Sequence, residues 1–146
     1  MARFRDAHGF TNYPELHSWS VAEPEAFWAA LWDWTGLVGD RGERVLEIGA
    51  DLRDARFFPD ARLNVAEVIL DGRGAAGDDV MFRSTDERGG SRSMTREQVR
   101  GQVVDLACAM RRSGVQPGDR VAAWLPNIVE TQFANLAAAA IGAAFS

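Results

Sequence analysis

The chain has 146 residues, 47% of them hydrophobic, and a formal net charge of −5. This length suits one domain with a moderate core, and five Trp and eight Phe exclude disorder along the whole chain. The acidic balance excludes a broad nucleic-acid-gripping field, and a single Cys, Cys108, excludes an internal disulfide or a cysteine-ligated zinc cluster. The opening "MARFRDAHGF" lacks the apolar run of a signal peptide, and Leu136 to Phe145 is far too short to span a bilayer. We expect a cytoplasmic protein, with neither nucleic acid nor membrane as a partner.

Residues 1–20 show little periodicity and read as an arm anchored by Tyr13, Leu16 and Trp19. A helix then starts at Pro24, where the missing N–H costs nothing. Phe27, Leu31 and Trp34 repeat along one face, widened by Trp28 and Trp32, and Gly36 ends the helix. Such an aromatic face predicts core packing against a substantial surface. Residues 39–62 mix Gly, Asp and Arg with short apolar islands and read as a surface strap. Asn64, with Glu67 three residues on, outlines a capping box for a short helix from Val65 to Leu70. The glycine-rich "DGRGAAGDD" breaks that helix.

"DVMFRSTDERGGSRSMT" reads as two strands joined by a turn around Gly89 and Gly90. Thr95 and Gln98 form a second capping box, opening a helix whose inner face carries Val99, Val103, Leu106 and Met110. Cys108 is expected to be a buried, inert thiol among small residues. Gly114 stops the helix, Pro117 and Gly118 turn the chain, and Val121 to Leu125 form an unbroken apolar run. That run predicts a strand covered on both faces. Pro126 ends it, and Asn127 with Glu130 is expected to cap the next helix. Phe133, Leu136, Ala137 and Ala140 or Ile141 form its buried side. Gly142 ends the helix, and Ala143 to Ser146 begins another strand. A right-handed crossover makes the two strands parallel. One parallel pair is incomplete as a sheet, so we expect a piece of a larger α/β protein.

Candidate chemistry is sparse. "VLEIGAD", Val45 to Asp51, has the strand-and-glycine start of a methyltransferase cofactor site. It carries only Gly49, and no helical pattern follows. No Walker-type phosphate loop occurs, and "GRGAAGDD" reads as a surface loop. His8 and His17 lack ligand-spaced carboxylates and are assigned to surface or packing roles. Asp51, Asp54, Asp78, Asp79 and Asp86 fall in expected loops as solvated charge. Asp119 and Arg120 are expected to fix the turn before the apolar strand. No catalytic, cofactor-binding or metal-binding residue is assigned within the chain.

The stretch from Ser93 to Ser146 resembles the adenylate-forming acyl-CoA synthetases. Gly114, Val115, Gly118, Asp119, Arg120, Val121, Pro126, Asn127, Glu130, Gly142 and Ala143 carry the resemblance. "YPELHSWSVAEPEAFWAALWDW" and "FFPDARLNVAEVIL" resemble the N-terminal cap of the acetyl-CoA synthetase branch. Asp60, Val65 and Val68 depart from that branch's usual Gly, Tyr and Asn. The "WDW" run and the "RVLE" strap look closest to the acetoacetyl-CoA synthetase group.

The resemblance implies an α/β fold. Residues 1–78 would be the cap and strap, and residues 79–146 the start of an AMP-binding large domain. The helix around Trp28 would clamp the cap onto that domain. ATP-dependent activation of a short carboxylic acid, most closely acetoacetate, to its CoA thioester is implied for a full-length parent. ATP, CoA and magnesium would be used there, with the remainder of the protein as the chain's partner. The family's phosphate loop, adenine pocket and catalytic Lys would lie beyond Ser146, leaving this stretch inactive alone. Phe145 and Ser146 would border the approach of CoA. A non-catalytic binding module on the same scaffold and an S-adenosylmethionine-dependent methyltransferase are the alternative readings.

Overall fold

A computed structural model describes residues 1–71 and 76–146. Two compact units divide the chain, Met1–Leu63 and Asn64–Ser146. This boundary precedes the 78/79 division read from sequence, because the helix after Asn64 packs with later helices of the second unit. Residues 72–75 of the glycine-rich run, which the sequence reading makes a surface loop, lie outside the described residues.

The first unit opens with helices α1 (Ala2–Ala7) and α2 (Tyr13–Ala22), not with an irregular arm. Gly9 separates them at a φ of 77°, which breaks the periodicity before it can be read. Pro14 stands in the first turn of α2, where proline is tolerated. Asn12 Oδ1 accepts the Glu15 N–H at 3.0 Å, and the Glu15 carboxylate accepts the Thr11 N–H at 2.8 Å. Donors to that carboxylate, the Thr11 backbone N–H first and the Thr11 hydroxyl next, hold the Glu15 carboxyl below its usual range. Of the expected anchors, Leu16 is buried and Trp19 half-buried, while Tyr13 is exposed.

Helix α3 (Pro24–Thr35) ends at Gly36 in the left-handed conformation, as expected. Its face packs through aromatic edges. Phe27 meets Trp19 at 5.6 Å, Trp34 meets Phe4 at 5.6 Å, and Trp28 meets Phe57 at 5.0 Å between ring centres. These partners all lie within the first unit, but no residue of α3 is buried as the expected core packing requires: Phe27, Trp28 and Trp32 are half-buried and Trp34 is exposed. The strap contains β1 (Leu46–Glu47) and β2 (Arg56–Phe57), paired antiparallel. Arg44 closes its base, with Nε donating to Asp60 Oδ2 at 2.8 Å and NH1 pairing with Glu47. Asp60 is held below the usual carboxylate range, chiefly by that guanidinium.

The second unit begins with Asn64 capping α4 (Val65–Asp71). Strands β3 (Val80–Thr85) and β4 (Ser91–Thr95) form the expected hairpin. Asp86 Oδ1 fixes its turn by accepting the N–H groups of Arg88 and Gly90 at 2.9 and 2.8 Å. Thr95 and Gln98 exchange side-chain bonds with each other's backbone N–H at 2.9 and 3.3 Å, opening α5 (Arg96–Arg112). Helix α6 (Val129–Ile141) lies against α5. The core gathers Leu70, Met94, Val99, Val103, Phe133, Leu136 and Ile141. Cys108 is exposed, contrary to the buried thiol expected. Ala107 takes the inward position, and one further residue turns the helix by about 100° toward solvent.

Candidate functional site

The second unit ends in a parallel crossover, β5 (Arg120–Val121), α6 and β6 (Ala144–Phe145). Sequence sets it up locally. Asp119 Oδ2 accepts the Gln116 N–H at 2.8 Å, and the Asp119 N–H returns to the Gln116 carbonyl at 3.1 Å. Asp119 therefore fixes the turn through backbone bonds, as expected. Gly118 then donates to the Gly142 carbonyl at 2.9 Å, tying that turn to the end of α6. Gly142 ends α6 at a φ of 87°, a left-handed position that favours glycine.

The ladder continues past the paired residues. The Ser146 N–H donates to the Val121 carbonyl at 3.0 Å, and the Ala123 N–H to the Ser146 carbonyl at 2.9 Å. Ala123 and Ser146 thus carry the ladder of the parallel pair one step beyond the paired residues. The expected strand from Val121 to Leu125 is corrected here. Its ladder reaches only Ala123, and Trp124 has a relative exposure of 101%. An unbroken apolar run signals burial on two faces only where layers stand on both, and residues 122–128 are exposed.

The start of α6 also differs from expectation. Ile128 is the cap residue and makes no side-chain cap bond, so Asn127 does not cap the helix. The Ile128 N–H donates to the Pro126 carbonyl at 2.8 Å, and Thr131 Oγ1 donates to the same carbonyl at 2.9 Å. Pro126 shapes this opening and displaces the helix start by one residue. Glu130 reaches Arg92 of the hairpin at 2.7 Å. Its carboxyl is held below the usual range, first by its own backbone N–H and then by Arg92.

An open groove of about 340 Å³ lies between the hairpin turn and this helix start, lined by Ser84, Thr85, Arg92, Asn127 and Glu130. Its one cation, Arg92, is already paired with Glu130, and Asp86 adds a second carboxylate, so the groove offers no net positive charge to an anion. Nothing in the local sequence signals that Arg92 joins this groove, because its partner is 38 positions away.

The other singled-out residues fall elsewhere. His8 packs against Phe4 at 4.5 Å and stacks on Trp19 at 5.6 Å between ring centres, and His17 lies 6.0 Å from Tyr13. Both are exposed. Asp51 pairs with Arg53 at 2.8 Å. After Gly49 comes a 3₁₀ turn, Leu52–Asp54, and then the antiparallel β2. A Cβ at Gly49 would collide with the Asp54 side chain. Gly49 thus serves a tight strap, and the strand–turn–helix frame of a methyltransferase is not formed. Among the described residues, no group of three or more His, Cys, Asp or Glu could hold a metal ion. No described helix is long and apolar enough to cross a membrane.

The family model for AMP-binding enzymes matches residues 73–146, half of the chain. The chain belongs to the AMP-binding enzyme family. The model for the acetyl-coenzyme A synthetase N-terminus matches residues 13–68. The acetoacetyl-coenzyme A synthetase of Rhizobium meliloti (strain 1021) is 43% identical over 142 residues, covering 97% of this chain and 21% of the relative. That of Rattus norvegicus is 38% identical over 155 aligned positions, covering 100% of this chain and 23% of the relative. The solved acetoacetyl-CoA synthetase from Streptomyces lividans superposes with a TM-score of 0.85 at 35% identity, over 99% of this chain and 23% of that one. The chain spans about a fifth of the length of these curated relatives. The cap, the hairpin and the β5–α6–β6 unit thus have the α/β architecture that the resemblance implies.

Proposed function

We propose that this chain is part of an acid–thiol ligase that activates acetoacetate in the cytoplasm. In the first step a carboxylate oxygen attacks the α-phosphorus of ATP, forming acetoacetyl-adenylate and releasing pyrophosphate. In the second the CoA thiol, giving up its proton, attacks the acyl carbon and AMP leaves with the bonding electron pair. Magnesium would neutralise the polyphosphate. No residue of this chain is assigned to hold it, and no step is routed through it.

The observation carrying this reading is the 43% identity that runs along 97% of the chain to an acetoacetyl-CoA synthetase. The residues present build and orient scaffold. Asp119 sets the turn into β5, α6 carries the crossover, and β6 brings Ser146 beside Ala123. Residues 1–78 act as cap and strap, and residues 79–146 begin the nucleotide-binding part.

The test uses the full-length protein. Acetoacetate should drive exchange of pyrophosphate into ATP without CoA, and acetate should do so far less well. Exchange that ignores acetoacetate would sink the proposal. The 146 residues alone should release no pyrophosphate, and release would show that reacting groups lie within them.

A further inference from the structure

The side chain of Asn64 serves two helices at once. Its Oδ1 accepts the N–H groups of Ala66 at 3.0 Å and Glu67 at 3.3 Å, capping α4. Its Nδ2 donates to the carbonyls of Ala139 and Ala140, both at 3.2 Å, in the last turn of α6. Only one orientation of the amide satisfies this set, with oxygen facing two donors and nitrogen facing two acceptors. The last carbonyls of a helix lack the usual partner four residues on, and at Ala139, whose carbonyl also accepts the Gly142 N–H at 3.0 Å, Nδ2 adds a second donor. The amide dipole therefore suits the positive start of α4 and the negative end of α6 together.

The last turn of α6 leads directly into the parallel pair. Gly142 reverses the chain, and β6 then docks on β5 through Ala144 N–H to the Asp119 carbonyl at 2.8 Å and Ser146 N–H to the Val121 carbonyl at 3.0 Å. Helix α4 is held separately at its far end. Arg96 donates to the Ile69 and Leu70 carbonyls at 2.7 and 3.1 Å, and Arg100 pairs with Asp71. Its far end thus has a fastening that does not involve the Nδ2 bonds. Those bonds act on α6.

We propose that Asn64 is a positioning residue. It fixes the end of α6, and through that end the docking of β6 on β5. Its consequence for turnover rests on the ligase reading above, whereas its coupling to β6 does not.

Two variants of the full-length protein separate the roles. Asn64→Asp keeps the acceptor that caps α4, loses both donations and sets a carboxylate against the carbonyls of α6. Asn64→Ser also keeps a capping oxygen, is too short to reach both carbonyls, and adds no charge. In both, the amides of Ala144 and Ser146 should exchange hydrogen about tenfold faster or more, while those of Ala66 and Glu67 keep their protection. In the ligase assay kcat/KM should fall roughly five-fold or more. Unchanged exchange at Ala144 and Ser146 would overturn the proposal. So would an equal loss of protection across α4, α5 and α6, or an unchanged kcat/KM in a variant whose β6 exchanges faster. Absence of acetoacetate-dependent turnover in the unmutated protein would overturn the ligase reading alone, because exchange still decides the coupling of Asn64 to β6.

Discussion

Val103 and Val104 offer a controlled comparison, since the same side chain occurs at adjacent positions of one helix. Val103 is 1% exposed and packs in the core with Val99 and Phe133, whereas Val104 is 52% exposed. Val103→Ala removes two buried methyl groups, about 1.6 kcal/mol of transfer free energy at ~0.8 each. The space they leave adds up to about 1 kcal/mol more where neighbours relax only in part. The helix preference for alanine over valine returns roughly 0.5 kcal/mol. The net cost is about 2 kcal/mol, roughly a thirtyfold change in an opening equilibrium. Val104→Ala gains the same preference and gives up little burial, so its effect stays within about 0.5 kcal/mol of zero. Native-state hydrogen exchange of the α5 amides in the full-length protein reads both. Equal effects at the two positions would refute the assignment of the inner face of α5.

Thr95→Ala removes the acceptor for the Gln98 N–H and should cost α5 about 1 kcal/mol, read as faster exchange at Gln98. Gly142→Ala should cost about 1–2 kcal/mol, because φ of 87° is strained for any Cβ; an unaffected melting temperature would count against that conformation. The Arg92–Glu130 pair is about half exposed at both side chains, so Arg92→Ala should cost less than about 1 kcal/mol and nothing in molar salt. Glu130 has a depressed folded pKa, so this stabilisation is complete above the ordinary glutamate range and disappears as pH falls through the folded value. Denaturation of wild type and Arg92→Ala should therefore differ at neutral pH and converge in acid; a gap that widens in acid would contradict the pairing. Cys108 should react with a thiol reagent in the native protein without denaturant, and protection until unfolding would contradict its exposure.

Legibility in the sequence tracks the range of the interactions involved. The Thr95–Gln98 box, the Gly36 and Gly142 helix ends and the hairpin around Gly89 rest on contacts a few residues apart. Periodicity likewise placed Val99, Val103, Phe133 and Leu136 in the core. The two opening helices were not legible, because α1 spans only 6 residues and Gly9 cuts its phase from that of α2. Asn127 lost the cap to Ile128 because Pro126 reshapes the approach, a conflict between two local signals. Arg92 and the Nδ2 bonds of Asn64 depend on partners 38 and 75 or more positions away, and a local reading has no access to them. Burial of Val121 to Leu125 depends on neighbouring layers, which a strand's own composition does not report.

The most direct measurement is the product itself. The purified full-length protein, incubated with acetoacetate, ATP and CoA, should yield acetoacetyl-CoA and AMP in equal amounts, identified by mass. Omission of any one substrate should abolish both. Formation of ADP in place of AMP, or a thioester of another acid formed in strong preference to acetoacetate, would contradict the proposed chemistry.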